Sequence, residues 1–254
     1  MTDQQKTLGR LLAESFSLFS GNILKLTAVT FAVYLPLEAT TLLVFKWLDI
    51  GQVVNLKYFS NGQLWGYIII QCVTTFFLFL YQIAFIKTVE SADKKENFTL
   101  QGSYQKAFAL FGSCLCVIGL VILKVFLWSL LFLVPGIIFG ILYSFANLAF
   151  IVDGKKGKQA LIYSKQLVKP AIWRLMGNLL VIVLVIAVLN IFIVLITMAA
   201  FGQNTGNYFE FIPAVGSSVT RVITTIIGGY ASAFYYFLYK ELKSHQEVIL
   251  TEKS

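Results

Sequence analysis

Residues 153–178 read DGKKGKQALIYSKQLVKPAIWRLMGN and carry six basic side chains, Lys155, Lys156, Lys158, Lys165, Lys169 and Arg174, with a single acid, Asp153. Lysines on a glycine-bearing loop just before a helix are suited to holding phosphate. Glycine frees backbone N–H groups, and a helix start attracts anions. Lys158, Lys165 and Lys169 follow spacings of seven and four and so share one helical side. Each interfacial lysine is worth ~1 kcal/mol at an anionic leaflet. Two readings stay open: an unspecific anchor touching phosphate groups, or a headgroup site for an anionic phospholipid or a phosphorylated lipid intermediate.

A second set of residues bears charge or polarity within apolar runs: Glu38, Lys124, Asn190 and Arg221, with Gln71, Gln82 and Asn147 beside them. Charges inside a bilayer are costly, so they are paired or functional. Here they form either a polar pathway through the bundle or hydrogen-bonded glue between helices, with Lys124 extending its stem toward water. Glu38 and Arg221 fall at similar depth and could pair. No HExxH, GxSxG or P-loop pattern is present, and the one histidine is His245. Cys72, Cys114 and Cys116 lie in or beside apolar runs without the further ligands a zinc site needs. The sequence therefore predicts no catalytic residue, no metal, no cofactor and no enzyme activity.

These residues must be positioned by membrane-spanning helices. Mean hydropathy is +0.79, and only 13% of residues are charged, against about a quarter in soluble chains. Six apolar segments emerge: Asn22–Phe45, Leu64–Val89, Ser113–Leu133, a short Gly136–Val152, Ala171–Phe201 and Pro213–Tyr239. Each is near the ~20 residues a helix needs to cross a bilayer. The prediction is one polytopic, all-α membrane domain over residues 1–254. No cleaved signal peptide is apparent in MTDQQKTLGRLLAES. Val134-Pro135-Gly136 is expected to turn the chain tightly between the third and fourth spans. Gly136 with Gly140, and Gly228 with Ser232, have the small-xxx-small spacing of close helix contacts.

Sixteen of the twenty basic residues fall on the side of the N-terminus, among them all six of the 153–178 stretch. Three, Lys46, Lys57 and Arg221, fall on the other side, and Lys124 lies mid-span. Basic residues favour the cytoplasmic side, so both termini are expected there. The net charge of +8 is thus ascribed to orientation and to anionic lipid as partner, not to nucleic acid.

Three segments preceding spans on the basic side look alike: 7–22, 99–114 and 158–171. The first two align at an offset of 92 (Thr7/Thr99, Leu8/Leu100, Phe16/Phe108, Leu18/Leu110, Phe19/Phe111), and the first and third at 149 (Ser15/Ser164, Leu18/Leu167, Ile23/Ile172, Lys25/Arg174). Each reads as an amphipathic helix lying in the interface. The residues sharing one helical face are Leu8, Leu11, Leu12, Phe16 and Phe19 in the first, Leu100, Tyr104, Phe108 and Phe111 in the second, and, less cleanly, Leu161, Ser164, Leu167 and Val168 in the third. Gly21, Gly112 and Pro170 would then turn the chain into the membrane. The unit of interfacial helix, span, span would occur three times. The alternative is that any amphipathic helix before a span shows this pattern.

Pro135-Gly136-Ile137, Tyr143-Ser144, Asp153-Gly154, Ala160-Leu161 with Ser164, Leu167-Val168-Lys169 and Trp173-Arg174 carry a resemblance. The chain resembles the six-span membrane domain of bacterial membrane-anchored glycerophosphodiester phosphodiesterases, and stand-alone bacterial membrane proteins with the same layout. The likeness is densest over 134–178. It departs at Pro170, where a glycine is expected, and at Asp153, where glutamate is more usual. The resemblance implies a bacterial inner membrane. The paired histidines and metal-binding carboxylates of the phosphodiesterase domain have no counterpart here, so that activity does not carry over. The expectation is a non-catalytic module in lipid or envelope homeostasis that binds lipid or a membrane protein partner. The alternative is a small transporter or lipid translocator with a polar pathway lined by Glu38, Lys124 and Asn190.

Overall fold

The computed structural model describes residues 8–47, 61–96, 99–201 and 211–251, and every regular element among them is helical. The helices are α1 (Leu8–Gly21), α2 (Ile23–Trp47), α3 (Asn61–Asp93), α4 (Leu100–Leu131), α5 (Leu133–Leu142), α6 (Ala146–Ile151), α7 (Lys158–Val168), α8 (Ile172–Phe201) and α9 (Phe211–Thr251). Six helical stretches are long and apolar enough to cross a membrane: Ile23–Thr41, Leu64–Asp93, Leu100–Leu130, Val134–Ile151, Lys158–Thr197 and Val222–Glu247. This is the make-up of a multi-pass membrane protein.

Packing is concentrated at the end of the bundle that carries α1 and α7. The buried core comes from Leu11 and Phe19 of α1, Leu26 and Val29 of α2, and Leu80–Val89 of α3. Ala107, Cys114 and Val117 of α4, most of 142–151, and Ala233–Leu242 of α9 complete it. Toward the opposite end most described side chains are apolar and exposed. No described side chain of α8 beyond Leu175 is buried, although Val181, Leu184, Val188, Phe192 and Leu195 are large and apolar. A water-soluble surface rarely exposes so large an apolar area, whereas lipid tails cover it without cost.

Local chemistry explains the helix ends. Asn22 separates α1 from α2: its amide Nδ2 donates to the Leu18 carbonyl (3.1 Å), and its own carbonyl accepts from the N–H groups of Lys25 and Leu26. Thr99 caps α4, its hydroxyl accepting from the Gly102 N–H. The fourth span is broken at Tyr143–Phe145 into α5 and α6. The Leu142 carbonyl at the break accepts from the hydroxyl of Ser164 on α7 (2.8 Å), and that of Ile141 from Ser144 (2.8 Å). Freed carbonyls inside a bilayer need such donors.

Two sequence expectations are corrected, those at Val134-Pro135-Gly136 and at Gly112, while Pro170 stands at a joint as expected. The turn between the third and fourth spans is the single extended residue Phe132, with Pro135 inside the first turn of α5, where its missing N–H is harmless. Gly112 turns nothing, because α4 runs unbroken from Leu100, so 99–114 is not a separate helix. Pro170 sits in a 3-10 turn, Lys169–Ala171, joining α7 to α8.

The faces of the short segments also differ from the apolar pattern. In α1 the buried side chains are Leu11, Ser15 and Phe19, while Phe16 is 62% exposed. In α4 Ser103, Ala107 and Cys114 are buried, and Phe108 is 58% exposed. Small residues face the bundle because they let backbones approach, and the large ones can face lipid. In α7 the whole shared face, Leu161, Ser164, Leu167 and Val168, is buried.

Of the small-residue pairs, Gly136 makes a close approach. A Cβ there would stand 2.1 Å from the Ser129 hydroxyl and 3.0 Å from the Ser129 Cα, whereas one at Gly140 would meet nothing within 4 Å. In α9 the tight position is Gly229, against the Phe85 ring at 3.2 Å; a Cβ at Gly228 would meet nothing within 4 Å. Gly136→Ala is therefore expected to lower stability by about 1–3 kcal/mol by forcing α4 and α5 apart, while Gly140→Ala is neutral or slightly stabilising. Thermal unfolding of both variants in detergent checks this, and equal midpoints would contradict the contact.

Candidate functional site

The end bearing α1 and α7 holds a layer of buried and half-buried carboxylates, each tied to named partners. Asp93, which closes α3, accepts from the Tyr236 hydroxyl (3.1 Å) and the Lys240 ammonium (2.6 Å). Asp153, which follows α6, accepts from the Tyr239 hydroxyl and from Lys243 (2.6 Å). Their side chains are 14% and 12% exposed. Both grips come from α9 and have the same form: a tyrosine and a lysine four residues on, one turn apart on one helix face. Glu90 of α3 is held by Lys87 (2.9 Å) and Lys94 (2.6 Å). That bond to Glu90 raises the Lys94 pKa above its ordinary value. Glu241 of α9, 6% exposed, accepts from Arg174 of α8 at 3.3 Å through Oε1.

The six basic residues of 153–178 divide. Arg174 is half-buried and turned toward Glu241, away from the group expected for it. Lys155, Lys156, Lys158, Lys165 and Lys169 are exposed, and none is in an ion pair with a described acid. Lys155 lies 5.5 Å from the Tyr163 ring centroid and Lys165 5.8 Å from that of Phe139. Gly154 (φ 68°) and Gly157 (φ 51°) adopt the left-handed conformation that shapes this loop, which L side chains rarely take. The Gly154 N–H closes α6 on the Phe150 carbonyl (3.0 Å).

The polar residues expected within spans are spread out. Lys124 on α4 is exposed on the bundle surface. Asn190 on α8 donates to the Ile186 carbonyl of its own helix (2.8 Å). Glu38 lies half-buried on α2, and the Arg221 side chain lies outside the described residues. Gln71 donates to the Tyr67 hydroxyl on the same helix (3.1 Å). Asn147 of α6 leaves its Oδ1 buried without a partner. A cavity of about 540 Å³ opens between α1, the end of α3 and α9, lined by Glu14, Ser17, Leu18, Asp93, Phe237, Lys240, Glu241 and Ser244. It includes none of Glu38, Lys124 or Asn190. No group of described His, Cys, Asp or Glu side chains is arranged to hold a metal ion.

Sequence reasoning missed the α9 grips. The signal was present in YYFLYKELK at 235–243, where two Tyr-x-x-x-Lys pairs overlap. Comparison with protein-family models, curated proteins and solved structures found no match.

Asp153→Ala is expected to cost about 2 kcal/mol, since it leaves the Tyr239 hydroxyl and Lys243 ammonium without their shared acceptor. Lys156→Ala, on an exposed side chain, is expected to change stability by less than about 0.5 kcal/mol. Unfolding midpoints in the same detergent compare them, and an equal effect would show that the grip does not hold the bundle.

Proposed function

We propose that this chain is a non-catalytic module of a bacterial inner membrane, with both termini cytoplasmic, that binds anionic lipid through the loop and helix at 154–169. One observation carries the reading. The buried acids at this end are committed to Lys87, Lys94, Lys240, Lys243 and Arg174, while five lysines on α7 and the loop before it remain exposed and unpaired with acid. Positive charge is thereby left at the position where a cytoplasmic leaflet presents phosphate. The role is accessory, in lipid or envelope homeostasis, with a membrane protein partner as a further occupant of the apolar surface. The relationship to the membrane domain of glycerophosphodiester phosphodiesterases belongs to this proposal and rests on the residues of 134–178.

A threefold repeat of helical hairpins, led by the separate short helices α1 and α7 in the first and third units and by the start of α4 in the second, is part of the same reading. Burial recurs at its offsets. Leu11, Ser15 and Phe19 correspond to Ala160, Ser164 and Val168 at 149, and Phe85, Val89 and Thr88 correspond to Phe234, Leu238 and Phe237 at the same offset; all twelve are buried. Asp93 and Asp153, which follow the second and fourth spans, are held alike by a tyrosine and a lysine of α9. α1 and α7 would lie at the interface and orient the first and third hairpins.

The test is native mass spectrometry of protein extracted gently from its own membrane. Wild type is expected to retain anionic phospholipid. Lys155, Lys156 and Lys158 together changed to Gln remove ~1 kcal/mol each, so retention should fall steeply while the melting temperature holds. Undiminished retention would refute the loop as the lipid contact.

A further inference from the structure

Lys124 is a charge that the bundle leaves unused within a span. Its side chain is exposed on α4 and makes no hydrogen bond or ion pair among the described residues. α4 ends at the turn residue Phe132, and the fourth span returns from there through the same layer. Lys124 therefore lies ~12 Å along the helix from that turn, within a hydrocarbon core ~30 Å thick. A lysine stem reaches about 6 Å. Side chains on a helix lean toward its N-terminal end, so this stem leans away from the nearer surface and toward the farther one. The ammonium is thus held in the hydrocarbon, where a charge without a partner is costly.

The surface beside it has the form of a helix-docking seam. Cys116, Leu120, Leu123 and Leu127 recur at steps of four, three and four and share one side of α4, the spacing of a knobs-into-holes contact. Cys116, Leu123 and Leu127 are exposed, and Leu120 is half-buried. Lys124 stands at the edge of this seam, the place from which charged side chains reach across to a neighbouring helix. Lipid tails cover the leucines without cost but offer nothing to an ammonium. A second copy of the chain offers no better. Among the described acids only Glu38 lies within a span away from the polar layer, and it is half-buried and already engaged.

We propose that this seam docks a transmembrane helix of another protein, one that carries a carboxylate at the depth of Lys124. Each charge alone is disfavoured there, and each relieves the other, so the contact selects partners with an acid at that depth. This names the chemistry of the membrane protein partner in the reading above and rests on that reading for the partner's existence. It makes no use of the lysine loop.

The test uses model helices of defined sequence. The full chain, carrying a donor fluorophore, is placed in phosphatidylcholine vesicles with acceptor-labelled spanning peptides of Leu and Ala. One peptide has Glu at its centre, one has Glu a turn from its end, and one has neither. Energy transfer is expected to show the central-Glu peptide associating about tenfold more strongly than the peptide without Glu. Lys124→Met should abolish that preference and Lys124→Arg should keep it, while Lys124→Glu should transfer it to a peptide with a central Lys. Melting temperatures of the three variants should match the wild type, because the side chain is exposed. No preference for the central Glu, or one that survives Lys124→Met, overturns the proposal. A preference for the Glu near the end places the ammonium among headgroups and overturns it as well. Energy transfer between copies of the chain that is lost in Lys124→Met makes a second copy the occupant, with the same consequence. The peptides probe the surface directly, and lipid retention by the loop is read separately, so the two readings fail independently.

Discussion

Asp93 and Asp153 end the second and fourth spans, and their carboxylates are nearly withdrawn from water. An ion so placed needs both an opposite charge and a hydrogen-bond donor, because attraction alone does not offset the lost hydration. The last span provides both, twice, through Tyr236 with Lys240 and Tyr239 with Lys243. A step of three residues turns a helix by about 300°, so the two pairs look out on directions about 60° apart. Once both aspartates are met, the rotation and depth of α9 are set together. Its apolar residues Ala233, Phe234 and Leu238 then fall at the centre of the core, and Gly229 comes against Phe85. Stacking of Phe145 on Tyr235, with centroids 4.5 Å apart, follows from the same placement.

This fixed end contrasts with the other. Away from the polar layer, α8 packs on α9 with its remaining faces uncovered, and the outer part of α4 exposes Ile122, Phe126 and Leu130. In water such a half-bundle would collapse; in a bilayer the tails remove the incentive. The bundle thus gains its specificity where it meets water, from ion pairs and tyrosine hydroxyls. It gains its solubility in the membrane where specificity is low.

The spans themselves were legible in the sequence, since hydropathy over ~20 residues is a property of composition and survives any packing. Element boundaries and faces were less so. Gly112 reads as a break, but a glycine without a competing turn partner remains helical when its neighbours are, and here it lies within α4. Phe16 and Phe108 lie on the apolar helical faces read from the sequence, and both are exposed, as side chains that can face lipid are. Arg174 reads as one of six interfacial cations. Its partner Glu241 is 67 residues away in sequence, and no local pattern announces such a pairing. The α9 grips were written plainly as i, i+4 pairs, but their targets lie on other helices.

Several residues that carry the family resemblance turn out to hold the architecture. Gly136 admits Ser129, Ser164 meets the open carbonyl of Leu142, Asp153 ties the fourth span to α9, and Arg174 meets Glu241. The lysine loop is not independent of them. It begins two residues after Asp153, and Gly154, the residue between, is pinned to the end of α6. At its far side α7 is held to the same span break through Ser164. The loop is thus fastened at both ends to the polar layer, so Lys155, Lys156 and Lys158 project from a base whose position α9 determines. The grips that consume the acids of this end also determine where its unspent positive charge stands.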